Sequence, residues 1–424
     1  MSQHPSDPPV VVPKPVPARD VRMRGFQDRC EVNDVLALID GRLRALPAEA
    51  VTLAEAGGRV LALDAVSELA VPSFDRAAMD GFALKGDETF GAGPYNPLEF
   101  QIVGEAWPGR PFVGNVRAGQ AARIMTGAPV PEGADAVLPA EAAEEHAGRV
   151  RVSDAVPPGR HVGRRGEDIA PGSRVLRAGR VLRPQDLGVL ASIGASPVQV
   201  IRRPAVAILV TGDELLPCGS RPEGFRIVDS NSVMLAALVR RDGGLPAPAA
   251  LIPDRRDAVR AALQGTTADL VLVSGGSSVG QEDHAPRVLA ELGELSVHGV
   301  ALRPASPAGL GYLGDRPVFL LPGNPVSCLC AYDLFAGRAI RRLGGRGSDL
   351  PHRGATLPLA RKISSAVGRV DYVRVQVRDG AVEPLATSGA SILSSTTRAD
   401  GFVLVPRDSE GHAAGDMVQV FFYD

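Results

Sequence analysis

The sequence predicts a multidomain protein, α/β in its middle and β-rich around it: a doubly wound α/β domain with a β-rich N-terminal region, a helical linker region and a C-terminal β-barrel-like domain. Three observations carry this. The chain has 424 residues, more than one ordinary core accommodates. Residues 204–345 alternate short apolar runs with amphipathic stretches, as a parallel sheet with crossover helices demands. On both sides, short apolar runs are separated by Gly and Pro, the pattern of small β domains.

Taken in order, residues 1–27 read as a Pro-rich leader (PSDPPVVVPKPVPARD) too poor in apolar surface to order itself. From Val32 to Leu46, the positions Val35, Leu36, Leu38, Ile39, Leu43 and Leu46 fall near a 3.6-residue period and predict an amphipathic helix, with Asn33 as its cap. The runs FQIVGEAWPG, AARIMTG, DAVLPAE and GRVRVSD predict a small β-rich domain, and QDLGVLASIGA (185–195) a helix after it. The strands expected in the α/β domain are Ala205–Thr211, Pro248–Ile252, Leu270–Ser274, Val297–Leu302 and Val318–Leu321. Its expected helices are Ser232–Arg241, Asp257–Leu263, Pro286–Leu292 and Pro325–Leu343. DYVRVQV, GAVEPL, GFVLVP and MVQVFFY close the chain as β runs. The domain boundaries expected are 28–69 with 167–203 for the helical linker, 70–166 for the small β-rich domain, 204–345 for the α/β domain and 346–424 for the C-terminal β domain.

Composition excludes several function classes. Apolar residues make up 45% and charged residues 22%, and no apolar run approaches the roughly 18 residues of a membrane helix. With no secretory pattern at the N-terminus, no membrane association and a cytoplasmic location are expected. Cys30, Cys218, Cys328 and Cys330 have neither CxxC spacing nor a neighbouring His cluster, so neither a zinc site nor a disulfide framework is expected. His161, His284, His298, His352 and His412 are scattered and suggest no imidazole metal site. A net charge of −2, from 46 basic and 48 acidic residues, and 4% aromatics leave no basis for gripping nucleic acid. Only three of the basic residues are lysine: Lys14, Lys85 and Lys362.

The chemistry is expected where strands end, because in open α/β sheets ligands bind outside the carboxyl ends of the strands. Gly212-Asp213-Glu214, GGSSVGQEDH, Pro304-Ala305-Ser306-Pro307 and Gly323-Asn324-Pro325-Val326-Ser327 each follow an expected strand, so four loops share one edge. The loop Gly275-Gly276-Ser277-Ser278-Val279-Gly280 offers backbone N–H groups to an anion, since Gly accepts the positive φ of such a nest. It is neither a Walker A loop nor a GxGxxG fingerprint, and a tight turn without ligand fits it too. Asn324 and Pro325 suit the N-cap and first position of a helix whose positive end would attract a second anion, or which is merely capped. Asp213, Glu214, Asp254, Glu282 and Asp283 lie beside these amides. Carboxylates next to a phosphate site are reasonable when Mg2+ bridges the two, although each alone also suits a solvated or capping residue.

The segments VPSFDRAAMDGFAL (71–84), RIMTGAPVPEGADAVLPAE (123–141), GRRGEDI (163–169), VTGDEL (210–215), SGGSSVGQED (274–283) and LPGNPVS (321–327) resemble, in order, those of MoeA-type molybdopterin molybdenumtransferases, the group that includes the gephyrin E domain. The resemblance implies a molybdopterin-binding-like α/β domain in a homodimer whose site lies between that domain of one subunit and the β-rich N-terminal region of the other. It implies adenylated molybdopterin and molybdate as substrates, AMP release assisted by Mg2+, and molybdenum cofactor as product. A molybdopterin adenylyltransferase and apo-molybdoenzymes are the implied partners. Carried over by position, the catalytic residues would be Asp75, Asp168, Glu214, Asp254 and Asp283, with Glu214 and Asp283 also holding the metal. Substrate would be bound by Thr126, Gly212, Asp213, Ser274, Gly275, Gly276, Ser277, Gly280, Arg303, Ser306, Pro322, Gly323, Asn324 and Ser327. Asp75 and Asp80, in a loop flanked by Pro72 and Gly81, also fit turn and cap residues.

The chain departs from the family pattern where Lys-Pro-Gly-Lys-Pro is common. Here the segment is Arg303-Pro304-Ala305-Ser306-Pro307, in which Arg303 keeps a charge able to grip an oxyanion and Ser306 does not. Ser277 and His284 stand where Val and Tyr are usual. These changes define an alternative, a molybdopterin-binding relative with lost or altered oxyanion insertion. Two further readings, a scaffold that clusters other proteins and a serine hydrolase built on Ser278 in Gly276-Ser277-Ser278-Val279-Gly280, lack a partner groove and a triad context, respectively.

Overall fold

The structure, a computed structural model, describes residues 29–277, 283–386 and 389–423. The expected leader over 1–27 lies outside these residues, as do Ser278, Val279, Gly280 and Glu282 of the glycine loop. The chain forms two compact units, one comprising the chain up to Glu49, Gly58–Val60 and everything from Ile201, the other Ala50–Gly57 and Leu61–Val200. No helix among the described residues is long and apolar enough to cross a membrane.

The first unit opens with α1 (Val32–Arg42), whose N-cap is Glu31. Asn33 therefore lies inside the helix and does not cap it. The helix also stops before the predicted Leu46: Leu43 is extended (φ −94°, ψ 137°), and Pro47 disfavours helical backbone at Leu46.

In the second unit, β1 (Gly81–Leu84), β2 (Leu98–Ala106), β3 (Gln120–Ile124), β4 (Ala136–Pro139), β5 (Ala143–His146) and β6 (Arg149–Val152) form a sheet in the order β4-β1-β3-β2-β6-β5. Along β6 the arginines are exposed and the valines buried, and Val150 and Val152 join Phe82, Leu84, Phe100 and Leu138 in one core. A second core forms around α2 (Pro184–Ser192), where Leu190 and Ile193 meet Ile169, Leu176 and Leu182. Pro184 starts this helix, where a missing N–H costs nothing.

The first unit resumes with β7 (Ala205–Thr211), α3 (Asn231–Arg241), β8 (Ala250–Ile252), α4 (Arg256–Gly265), β9 (Leu270–Ser274), α5 (Ala285–Leu292), β10 (Glu294–His298), β11 (Leu302–Arg303), β12 (Gly309–Leu313) and β13 (Arg316–Leu321). The α/β sheet runs β8-β7-β9-β13-β12-β10, with Leu245–Pro246 pairing with the start of β7 ahead of β8. Alternate residues of β7 and β9 feed two cores. Val206, Ile208, Val210, Leu270 and Leu272 face α1 and α3, whereas Ala207, Leu209, Val271 and Val273 face α4 and α5. Such burial on both faces is why these strands read as unbroken apolar runs.

The sheet is not wholly parallel. β8, β7, β9 and β13 are parallel to one another, but β12 is antiparallel to both β13 and β10. β12 was not expected, because Gly309 and Gly311 weaken its strand signal. The glycines are needed: a Cβ on Gly311 would lie 2.2 Å from the Glu294 carbonyl oxygen. The predicted strand Val297–Leu302 is likewise corrected. β10 ends at His298, and β11 pairs in a different sheet.

The helix predicted over Pro325–Leu343 is continuous in extent but contains a π turn, giving α6 (Pro325–Ala331), the π turn Tyr332–Ala336 and α7 (Gly337–Leu343). Strands β14 (Gly354–Pro358), β15 (Val370–Arg378), β16 (Ala381–Ala386), β17 (Gly401–Val405) and β18 (Met417–Phe422) follow, and β15 pairs with β11, β16 and β17. Beyond β14 the Ala360 N–H donates to the Val382 carbonyl at 2.8 Å, which joins the end of β14 to β16 in a barrel-like closure.

Candidate functional site

The chain passes from β7 to β8 on one side and then to β9 on the other, so the strand order switches between β7 and β9. A crevice opens at such a point. The register aligns the strand ends along it: Val210 with Ser274, Ser274 with Leu321, Leu320 with Gly309, and Gly309 with His298. The loops after β7, β9, β13 and β10 therefore leave from one edge.

The glycine turn is pressed onto the end of β7. Gly275 (φ 90°) and Gly276 (φ 56°) have left-handed backbone. A Cβ on Gly275 would lie 2.4 Å from the Thr211 carbonyl oxygen, and one on Gly276 2.9 Å from Thr211 Oγ1. The Gly275 amide donates to Leu321 O at 3.1 Å, so the amides the turn can offer an anion begin at Gly276. Ser277 is buried, and its carbonyl accepts from His298 Nε2 at 3.2 Å. Burial pulls the His298 imidazole below its ordinary value, with the Ser277 carbonyl and the Asp283 charge acting the other way.

Beside this turn Asp213 and Glu214 are exposed and Asp254 is half-buried. The Asp254 N–H donates to Asp213 Oδ1 at 3.2 Å. Burial pushes the Asp254 carboxyl up and the charges of Glu214 and Asp213 add to this, while Thr211 and the backbone of Asp213 oppose it. Such a cluster gains from a cation. No three His, Cys, Asp or Glu side chains converge as a metal cage among the described residues. A carboxylate edge of this kind instead suits Mg2+, which takes one or two protein carboxylates and fills its shell with water and phosphate oxygens.

Pro322, Gly323 and Asn324 lead into α6. Asn324 holds the N-cap position and Pro325 the first helical position, but the Asn324 side chain makes no capping bond. Val326 N–H donates to Ala390 O at 3.0 Å, so this helix end keeps fewer open donors than its sequence suggests. Ser327 is 4% exposed. A Cβ on Gly323 would sit 3.5 Å from Gly275 Cα, so the two turns lie side by side.

The segment from 299 to 307 leaves the edge as expected but serves another sheet. Leu302 and Arg303 pair with Val370 and Asp371, and Arg303 forms an ion pair with the fully buried Asp371, whose carboxylate also accepts from Ser365 Oγ at 2.7 Å. The guanidinium expected to grip an oxyanion is thus engaged by a carboxylate of the chain. Ser306 Oγ accepts from Arg29 Nε at 2.9 Å, and Ala305 is buried with φ 104°.

The second unit carries the remaining predicted residues on neighbouring loops. Asp75 accepts from Arg165 N at 2.8 Å and Arg164 Nη1 at 2.7 Å, which holds its carboxyl below the usual carboxylate range. Thr126 donates from its amide (2.6 Å) and its hydroxyl (2.7 Å) to Asp80 Oδ1. Asp80, which also read as a turn residue, is thus what positions Thr126. Asp168 has an exposed side chain and is fixed by its N–H to Val71 O at 3.1 Å.

Sequence reasoning missed Thr211 and Asn231. Thr211 reads only as the last residue of an apolar strand. Asn231, 6% exposed, sits in Asp229-Ser230-Asn231-Ser232, which reads only as a helix cap. Asp229 Oδ1 does accept from Ser232 N at 3.1 Å, leaving the Asn231 side chain for other partners.

Comparison with known proteins adds an independent finding. Three family models match in order: the MoeA N-terminal region (domain I and II) over residues 30–194, a "probable molybdopterin binding domain" over 207–342 and the MoeA C-terminal region (domain IV) over 356–423. Molybdopterin molybdenumtransferase 2 of Mycobacterium tuberculosis is 34% identical over 393 residues, covering 89% of this chain and 96% of that protein. The molybdopterin molybdenumtransferase of Haemophilus influenzae is 31% identical over 382 residues, with 88% and 93% covered. A solved molybdopterin biosynthesis MoeA protein of Pyrococcus horikoshii matches with a TM-score of 0.78 at 32% identity, over 93% of this chain and 100% of that one.

Proposed function

The chain belongs to the MoeA family of molybdopterin molybdenumtransferases, and from that membership we propose that it inserts molybdate into adenylated molybdopterin, releasing AMP and forming molybdenum cofactor. It is a transferase of molybdenum cofactor biosynthesis. The observation that carries the reading is the Gly275-Gly276 turn seated on Thr211 beside Asp213 and Asp254, which sets left-handed glycines and carboxylates at the switch point of the sheet.

The amides of Gly276 and Ser277 and the Gly323-Asn324 turn face the anionic groups of the pterin nucleotide, with the buried side chains of Ser277 and Ser327 and that of Ser274 behind them. Glu214 and Asp283 would hold Mg2+, with Asp213 and Asp254 beside them. Bound there, the ion would neutralise the charge that develops as the phosphoanhydride is cleaved. Asp75, Thr126 and Asp168, all on the second unit, take their proposed roles from family membership alone. The protein acts in the cytoplasm as a homodimer, receives its substrate from a molybdopterin adenylyltransferase and passes its product to apo-molybdoenzymes. Purified protein given adenylated molybdopterin, molybdate and Mg2+ should release AMP, and chelation should stop the release. A lack of release under all these conditions removes the assignment, and light scattering tests the dimer.

A second reading is favoured by one observation, the Arg303–Asp371 pair beside the neutral Ser306. It is a relative that binds molybdopterin with lost or altered oxyanion insertion. Tight molybdopterin binding without molybdate-dependent AMP release, and gain of release in Ser306→Lys, is the outcome that selects it.

A further inference from the structure

Asn231 begins α3 and is 6% exposed. Its Nδ2 donates to Ser274 Oγ at 2.9 Å and to the Gly323 carbonyl oxygen at 2.7 Å. Ser274 is the last residue of β9, directly before Gly275-Gly276, and Gly323 directly precedes Asn324. One amide group therefore ties together the entries to both anion-facing turns. A carbonyl oxygen only accepts, so the contact with Gly323 fixes which end of the amide points there. A hydrocarbon of the same shape loses both bonds, and a carboxylate sets negative charge against the carbonyl.

Resting on the reading of this edge as the pterin-nucleotide site, we infer that Asn231 is a positioning residue: it sets the spacing of the Gly275-Gly276 turn from the Gly323-Asn324 turn, and so the geometry in which the anionic groups of the substrate are held. The neighbouring contacts agree. Gly323 has room for a Cβ only 3.5 Å from Gly275 Cα, and the Gly275 amide is itself bonded to Leu321 O. Ser274 Oγ also lies 3.8 Å from Cys328 Sγ in α6, while the Asn231 amide reaches Ser274 and the Gly323 carbonyl at once.

The test uses the full-length protein with Asn231→Leu and Asn231→Asp, and Leu235→Ala, one helical turn on and 0% exposed, as the control for destabilising α3 alone. Both Asn231 variants should raise KM for adenylated molybdopterin about tenfold to a hundredfold. Amide hydrogen exchange in peptides covering 274–277 and 322–327 should rise together, by about fivefold or more. Leu235→Ala should lower the melting temperature while KM and exchange at the two turns stay at wild-type levels. If Asn231→Leu does not fold, Asn231→Ser, too short to reach Gly323, takes its place. Folded Asn231 variants with wild-type KM and wild-type exchange at both turns overturn the proposal, as does a KM rise of equal size in Leu235→Ala. Should the wild type release no AMP, the functional reading falls while the exchange measurement still decides whether Asn231 couples the turns.

Discussion

Two clusters of carboxylates in the first unit are treated in opposite ways. At the π turn, Asp333 and Asp242 are 0% and 1% exposed, and both are answered by protein groups. Arg241 reaches Asp333 at 2.8 Å and Asp242 at 2.9 Å, Arg341 reaches Asp242 at 2.7 Å, and Tyr372 donates to Asp333 at 3.1 Å. At the sheet edge, Asp213, Glu214 and Asp254 stand together with no ion pair to any of the three among the described residues. Charge compensated inside the chain serves stability. Charge left uncompensated in a crevice is what the proposed ligand site calls for. The two clusters should therefore respond to mutation in opposite currencies, folding in one and turnover in the other.

The largest break comes at the compensated cluster. Asp333→Asn leaves the half-buried Arg241 with half its counter-charge and a neutral amide in a fully buried carboxylate site, and should cost about 3–5 kcal/mol, read as a lower urea midpoint, while the folded fraction keeps its turnover. Burial alone would raise the Asp333 carboxyl, but His352 and Arg241 outweigh it and hold it below the usual 3.8. With the folded value depressed, its stabilisation is complete above pH 3.8 and is lost as the pH falls through the folded value. Wild type and variant should therefore converge in stability only in strong acid, and a gap independent of pH rejects this account.

Next is Gly275→Ala. A Cβ 2.4 Å from the Thr211 oxygen at φ 90° should cost about 1–3 kcal/mol of strain, and shifting the turn should lower kcat/KM about a hundredfold. Steady-state AMP release and thermal melting measure the two. A variant that loses stability but turns over normally would mean that the turn holds no ligand.

Much of this contrast was legible in the sequence on one side only. The edge could be read because its parts are local: β7 and β9 are apolar up to their last residues, Thr211 and Ser274, and each is followed at once by Gly, with acidic residues in the same loop. The buried cluster could not be read, because Asp333 looks like any polar residue in a helical stretch and its partners Arg241 and Tyr372 are 92 and 39 residues away. The same limit hid the partner of Arg303, 68 residues distant, and the role of Asn231, whose bonds span 43 and 92 residues. Glycines masked β12 for a different reason, since propensity counts them against a strand while close packing between two neighbours requires them.

The segment that carries Arg303 sharpens the comparison, because it leaves the functional edge and yet is anchored like the core. Ala305 sits there with φ 104°, a region disfavoured for any residue with a Cβ. Ala305→Gly should relieve this strain, partly offset by the greater freedom of glycine in the unfolded chain, for a net gain of about 1 kcal/mol. A higher urea midpoint with unchanged slope is the expected reading, and a lower midpoint means the conformation is not strained.

The smallest effect on folding, and the most telling, belongs to Asp254→Asn. Burial raises this carboxyl, and Glu214 and Asp213 add to the shift, so its proton binds the folded chain more tightly than the unfolded one. That contribution is present below the unfolded value and is lost as the pH rises through the folded one. A neutral amide does not titrate, so in chelator the variant should gain on the wild type as the pH rises from 3 to 7. Solvent screening of a half-exposed group keeps the gain to no more than about 0.5 kcal/mol. Turnover should move the other way, with AMP release falling while the protein melts no lower than wild type. A residue whose loss leaves folding intact or slightly better and activity worse is held in place by its ligand chemistry. A stability loss like that of Asp333→Asn would instead make the edge a second structural cluster and erase the contrast.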